Sequence, residues 1–592
     1  MKMKINFKIG IIISGLIVLA SCSDLFDPAL ENIQNKDRLR ERPDMVHGLL
    51  INAYLRIPTN SFNFSEVATD DAVTNDLTSG FLNTATGQWA SNYNPLDQWT
   101  SAQSAIQYLN EMLAEVGNTE YAANPIVNQM FIDRMTGETY GLRALFMYHL
   151  LRAHGGMSEG VLLGVPLFEE TQTVDSDFNI PRATFEECLQ RLYADIDRAM
   201  ELLPMDYQNI NSEGSIPAKY VQAGAHTGEY NRVFGDDAKQ LVSGRIVRAI
   251  RAQAALLAAS PAFNLTNDQS KWIDAATYAG NVLNDIGGVS GLDPQGLTWY
   301  RNAVMIDNLG AGDNPSEVLW RGSVGGTSSA LEAQNFPPTL FGNGRVNPTQ
   351  NLVDAFPMAN GYPISNNSSG YSPDAPYSGR DPRLTHFIVV NGSTAGPTGS
   401  TINTALNSPT NDGLNKVETS TRTGYYMRKL LRQDVNLNPN NVSGQRHLQP
   451  RIRYTEIFLI YAEAANEAWG PTSSGPFAFS AYDVIKAIRQ RAGIGAENGD
   501  AYLESIRNDQ TAMRALIRNE RRLELSFEGF RFWDLRRWKS DLTDTARGIS
   551  IVGQNHSVIN VENRVYRDHM IYGPVPYSEM LKFSSLKQNT GW

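Results

Sequence analysis

The sequence predicts a predominantly α-helical protein, with helix pairs stacked in tetratricopeptide-like fashion as a scaffold. A long, loop-rich irregular region with short strands is set into that scaffold. Three observations predict this. Apolar residues recur at i, i+3, i+4 spacing through two long regions, one N-terminal and one C-terminal. Between them, residues 287–441 are rich in Gly, Ser, Asn, Thr and Pro. The 592 residues are 42% hydrophobic, enough for a large core. The helix pairs place aromatic and Ala positions face to face, although no regular repeat period accompanies them.

The elements follow in order. "MKMKINFKIGIIISGLIVLASC" has a basic start and an apolar run from Ile9 to Ala20. That run is short for a membrane span and reads as a signal-peptide core. Small residues then precede Cys22, the arrangement of a bacterial lipobox, so residues 1–21 are expected to be a signal peptide and Cys22 the lipidated residue. Residues 22–40 are polar and read as a tether from the membrane, since two or more acyl chains anchor stably where one is marginal. Residues 41–592 are expected to form one domain, divided into 41–286, 287–441 and 442–592. Amphipathic patterns predict helices over Pro43–Arg56, Leu96–Val116, Asn128–His154, Phe185–Leu203, Ala238–Ala259 and Gln269–Ile286. "PRATFEE" and "TNDQSKW" supply polar helix starts. The loop-rich stretch offers only strand-like pieces such as Glu317–Trp320 and His386–Val390, yet it keeps enough apolar residues to pack. Helices resume at Arg453–Trp469, Ala481–Ala492 and Thr511–Phe530, with "RAGIG" as a glycine stop.

Charge and motifs narrow the function. Formal charge is −11, and Lys2, Lys4 and Lys8 are the only charges in the first 21 residues, so without them it is −14. A nucleic-acid partner is excluded as an expectation, because binders of polyanions carry a positive footprint. HExxH, a Walker loop, GxSxG and zinc-spaced Cys/His sets are all missing. His149 and His154 are five apart and do not share a helix face. "TDDAVTND" (Thr69–Asp76) lacks the glycine and terminal Glu of an EF-hand and reads as a solvated turn. No metal, cofactor or catalytic residue is assigned. Cys188, on a helix, reads as a small buried hydrophobe.

"IRNERRLELSFEGFRFWDLRRW" (Ile517–Trp538) packs four acids, six arginines and five large aromatics into one stretch. At helical spacing Glu520, Glu524 and Glu528 share one side, flanked by Leu523 and Phe527. Glycoside hydrolysis uses two carboxyls, one with a raised pKa. Arginines nearby lower carboxyl pKa instead, so the glutamates read as buried partners of Arg521, Arg531, Arg536 and Arg537.

This stretch has companions in a set order: "GETYGLRALFMYHLLRAHGG" with "GVPL", "FPMANGYPI", "GRDPRL", "RIRYTEIFLIYAEAANEAWG", "AIRQRAGI" and the ending "YGPVPYSEM…LKQNTGW". Together they resemble the SusD/RagB family of outer-membrane nutrient-binding lipoproteins. The resemblance implies a mainly helical fold and no enzymatic activity. It implies a SusC-like TonB-dependent transporter as partner and an oligosaccharide or polysaccharide ligand, with peptides as the alternative and a surface glycosidase as a remote one. It also implies a place on the cell-surface face of the outer membrane. Binding residues do not transfer by motif. Sugar rings stack on aromatic planes while Asn, Asp or Arg meet their hydroxyls. Two polar loops offer that mixture, through Trp89, Tyr93 and Asn94 in one and Trp299 and Tyr300 in the other. These five are the expected ligand residues, with Tyr362, Tyr371 and Tyr377 as weaker additions.

Overall fold

The computed structural model describes residues 40–592. The signal segment, Cys22 and all but the last residue of the tether lie outside the described residues. Helices α1 (Pro43–Leu55), α2 (Trp99–Glu115), α3 (Pro125–His154), α4 (Phe185–Leu202), α5 (Gly244–Ala259) and α6 (Gln269–Asn284) build the N-terminal half of the frame. The C-terminal half adds α7 (Tyr454–Trp469), α8 (Ala481–Arg491), α9 (Gln510–Glu524) and α10 (Arg531–Arg537). From α1 to α8 each helix packs on the next in sequence, and α9 returns to α7. This serial packing is the tetratricopeptide-like arrangement, and each repeat unit buries its apolar stripe on its neighbour.

Local chemistry sets the helix ends. At α4 the Thr184 hydroxyl accepts from the Glu187 amide at 3.1 Å, and the Glu187 carboxylate accepts from the Thr184 amide at 2.8 Å. This reciprocal capping box satisfies two orphan donors. Asn124 caps α3 through its side-chain oxygen, with Pro125 at the first helical position. Helix α3 is 30 residues long and passes close under its neighbours at two glycines. A Cβ on Gly141 would lie 2.6 Å from Val242 Cγ1 and 2.7 Å from Val247 Cγ1. Valine is stiff at χ1 and cannot swing both methyls away. Gly141→Ala is therefore expected to destabilise the fold by about 1–3 kcal/mol through overpacking, against a gain in helix propensity of at most about 1 kcal/mol. Thermal melting checks this; a melting temperature above wild type would show that the helices can separate at no cost.

The loop-rich region has its own core. Phe356, Leu384, Phe387, Tyr425, Tyr426 and Met427 form it, and α9 contributes Leu523, with Phe527 just beyond its end. Strands occur as two-stranded antiparallel pairs, such as Ala72–Thr74 with Val346–Pro348 and Val318–Arg321 with Pro450–Arg453. The long hairpin Ala546–Val552/Asn555–Glu562 turns at Gly553, whose φ is +61°. A third, small core joins Trp89, Leu96, Phe532, Tyr566 and Met570. The C-terminus closes on it: Trp592 meets Trp89 edge-on at 4.7 Å. Just before it, Asn589 donates to the carbonyls of His154 (3.0 Å) and Gly573 (2.6 Å) and accepts from Arg182 at 2.9 Å.

Several expectations need correction. The helix expected over Thr511–Phe530 stops at Glu524; Phe527 is left-handed at φ +64°, and α10 begins afresh at Arg531. Glu528 thus lies beyond the helix whose face it was expected to share. The helix expected from Ala238 starts at Gly244, and the one expected from Leu96 starts at Trp99. His386–Val390 is the end of a short helix (Arg383–Phe387) followed by the strand Ile388–Val389. Thr69–Asp76 is not a solvated turn. Asp70 and Asp71 are buried, Arg522 and Arg531 both reach Asp70 (2.9 and 2.8 Å), and Arg522 also donates to Asp71 at 2.7 Å. Cys188 is buried, as expected, and burial pushes its thiol up to about 11.

Candidate functional site

The acidic and basic residues of the Ile517–Trp538 stretch resolve into a buried ion network. Arg383 sits fully buried between three carboxylates. Its guanidinium donates to Asp381 (2.7 Å), Glu520 (2.8 Å) and Glu524 (2.9 Å). Arg489 reaches Glu520 at 2.7 Å and Asp500 at 2.6 Å. Arg491 reaches Glu524 at 3.0 Å. Glu528 accepts from Lys429 (2.6 Å) and from Arg453 (2.7 Å), which also pairs with Glu317. Burial alone would raise these carboxyls. The cations outweigh it: Arg383 and Arg489 hold Glu520 low, Arg491 and Arg383 hold Glu524 low, and Arg453 and Lys429 hold Glu528 low.

So the glutamates are structural, as expected, but their partners were not the arginines nearest in sequence. Arg521 and Arg537 bind Asp534, and Arg531 binds Asp70. Arg536 packs its guanidinium over the rings of Phe532, Trp89 and Tyr566. Segments far apart in the chain meet here. "GRDPRL" brings Asp381 and Arg383, "AIRQRAGI" brings Arg489 and Arg491, "RIRYTE" brings Arg453, and "FPMANG" lends the Gly361 carbonyl to Arg489 at 2.9 Å.

Beside this network lies a cleft, open to solvent, with room for about 100 Å³. The end of α3 supplies Tyr148, His149 and Arg152 to it. Gln253 comes from α5, Glu456 from α7, Arg451 from the preceding strand, and Phe62, Phe530 and Trp533 from loops and α10. Arg152 lies over Trp533 at 4.7 Å and over Tyr148 at 5.2 Å. Its Nη2 meets His149 Nδ1 at 3.0 Å, so that nitrogen accepts. Burial, with Arg152 adding to it, pushes His149 well below the usual histidine range, so the ring is neutral. Gln253 donates to one Glu456 oxygen at 2.8 Å, and the other oxygen has no partner among the described residues. Burial raises the Glu456 carboxyl against the opposing pull of Arg521. Glu528, the other carboxylate on the wall, has both oxygens engaged by Lys429 and Arg453. Aromatic faces beside forked donors and one open carboxyl are groups that hold a hydroxylated ligand. No group of three or more His, Cys, Asp or Glu able to hold a metal occurs among the described residues.

The five expected ligand residues do not form a platform. Trp89 is 4% exposed, boxed by Phe532 (5.6 Å) and Trp592 (4.7 Å). Its indole N–H donates to Asn94 at 2.9 Å, and Asn94 also accepts from the Leu96 amide, so Asn94 is a loop brace. Trp299 and Tyr300 are each 2% exposed in the core of the loop-rich region. Rings so covered cannot stack on a sugar, and the two loops belong to different cores. Tyr93 alone is exposed, at 40%, with its hydroxyl accepting from Asn83. The cleft residues went unread because they are spread over helices whose sequence shows only framework periodicity.

Known proteins place this arrangement. A family model described as "SusD family" matches residues 316–592, and one described as "Starch-binding associating with outer membrane" matches residues 31–223. A SusD-like protein of Formosa agariphila is 23% identical over 500 residues, covering 82% of this chain and 80% of that protein. A SusD-like protein of Bacteroides fragilis superposes with a TM-score of 0.69 at 23% identity, covering 96% of this chain and all of that one. A second structure from Bacteroides fragilis, described as a SusD-like carbohydrate-binding protein, gives 0.67 at 19% identity over 92% of this chain and 98% of its own.

Proposed function

This chain belongs to the SusD family, and from that premise we propose that it is a non-enzymatic glycan-binding protein of the outer-membrane surface. The observation that carries this reading is the open cleft, where aromatic faces and unsaturated polar groups stand together on a rigid helical frame. The carbohydrate-binding description of a structural neighbour and the starch-binding description of the N-terminal family model support it. The finer reading is that the protein captures oligosaccharides and passes them to a SusC-like TonB-dependent transporter. Removal of residues 1–21 and acylation of Cys22 would hold it there. No helix among the described residues is long and apolar enough to cross a membrane.

A sugar in such a cleft gives up hydroxyl hydration for modest apolar contact. Affinity is therefore expected at about mM to µM. A calorimetric screen of the purified protein against polysaccharides and peptides tests this, with hydrolysis followed on the same panel. Binding of peptides alone would replace the glycan by a peptide ligand, and release of sugars would make the protein a glycosidase. Cys22→Ala should move the protein from the membrane to the soluble fraction; firm retention would place the anchor elsewhere.

A further inference from the structure

The arginines of the cleft differ from those of the neighbouring network. Arg383, Arg489, Arg491 and Arg453 each pair with at least one carboxylate. Arg152 and Arg451, which face the cleft, pair with none among the described residues. Arg152 Nε is buried without a hydrogen-bond partner, and its other contacts are the neutral His149 ring and the Tyr148 hydroxyl at 3.5 Å. Arg451 turns Nε and Nη2 to a single neutral acceptor, Asn60 Oδ1, at 3.1 and 2.8 Å. Its Nη1 has no partner among the described residues. Its plane lies over Trp320 at 4.6 Å. Burial lowers this half-buried guanidinium to about 10, and no carboxylate among the described residues pairs with it.

Both guanidinium planes are backed by aromatic rings, so unused donors remain at their edges. That is the presentation that binds oxyanions through forked N–H groups. Among the wall residues, Arg453 and Glu528 cancel as a pair. Glu456 opposes only one of the two remaining arginines. The cleft is therefore net positive on a chain of formal charge −11. A half-buried charge without a carboxylate partner is left to be balanced, and an anionic ligand would balance it.

We infer that the cleft selects anionic oligosaccharides, receiving a carboxylate or sulfate group on Arg152 and Arg451. This rests on the glycan-binding reading above and adds the substrate class to it. The two arginines come from separate elements, the last turn of α3 and the strand Pro450–Arg453. A ligand engaging both is held across the cleft.

The test is calorimetry on the full chain in detergent with four probes of similar length. They are oligogalacturonate, a sulfated galactan oligosaccharide, a neutral gluco-oligosaccharide and an oligoglutamate peptide. An acidic oligosaccharide should bind on the order of tenfold tighter than the neutral one. Raising salt from about 0.05 to 0.5 M should weaken that binding. Arg152→Gln and Arg451→Gln should each cost on the order of tenfold against the acidic probe and little against the neutral one. Arg152→Lys, which keeps the charge without the fork, should recover part of the loss. Which acidic probe binds separates carboxylate from sulfate. Arg451 lies nearer the rim, so its variant answers the question even where Arg152→Gln fails to fold. Equal affinity for acidic and neutral sugars, or acidic binding unchanged in both glutamine variants, overturns the inference and leaves the glycan-binding function standing. Binding of the peptide alone, or of no probe, overturns both.

Discussion

Arg383→Ala is expected to lower the unfolding free energy by roughly 3–5 kcal/mol, the usual cost of stripping one partner from a buried ion group. Arg383 bonds Asp381, Glu520 and Glu524, and the side chains at all four positions are almost fully shielded from water. Removing the arginine leaves Glu520 with Arg489 and Glu524 with Arg491, but Asp381 loses its only ion partner among the described residues. The contrast is Arg198→Ala, which breaks an exposed pair with Glu201. An exposed helical pair contributes about 0–1 kcal/mol. Urea unfolding of both variants checks the difference, and equal midpoints would show the interior network to be dispensable. The network also sets acid behaviour. Glu520, Glu524 and Glu528 have lowered folded-state values. Their stabilisation is therefore present above the ordinary glutamate value and is lost as pH falls through the lowered ones.

Glu66→Gln is expected to act in the opposite sense and on the other side of the pH scale. Glu66 is fully buried; one oxygen accepts from the Gly529 amide at 2.6 Å, and the other has no partner among the described residues. Burial raises its carboxyl to about 7, with Asp71 adding to the rise while the Gly529 amide and Lys429 oppose it. A raised folded-state value means the contribution is intact below the unfolded value near 4.5 and is lost as pH climbs to about 7. Above that, the ionised group costs roughly 3 kcal/mol. Glutamine keeps the acceptor for Gly529 and carries no charge. The variant should match wild type near about pH 4 and exceed it by roughly 3 kcal/mol near about pH 8. Urea midpoints at both pH values measure this. A difference independent of pH would mean that Glu66 does not titrate in the folded protein.

The helices were legible because periodicity and caps are local. Thr184 and Glu187 stand three residues apart, and their capping box fixes the start of α4 without reference to the rest of the chain. The partners of the glutamates were not legible for the converse reason. Arg383 lies 137 residues from Glu520, and nothing in either neighbourhood announces the other. The resemblance to a family marked these charges as framework without naming their partners, although several of the segments that carried it meet in the network. The Trp89 loop misled for a specific physical cause. Its polar neighbours look solvent-facing, yet Asn94 spends its oxygen on the indole and Trp592 covers the ring. The cleft was invisible because its walls come from α3, α5, α7 and α10, each of which looks like scaffold on its own.

The closure of the C-terminus on Trp89 has a consequence for how the chain is made. Synthesis is vectorial, and N-terminal segments ordinarily settle first. Here Trp89 waits for Trp592, and the last turn of α3 waits for Asn589 to occupy the His154 carbonyl. An early part of the protein therefore stays unsealed until residues 589–592 have emerged. Contacts so distant in sequence carry a large loop-closure cost before they can form. A chain without Asn589 and Trp592 would have its helices in place and its aromatic box open.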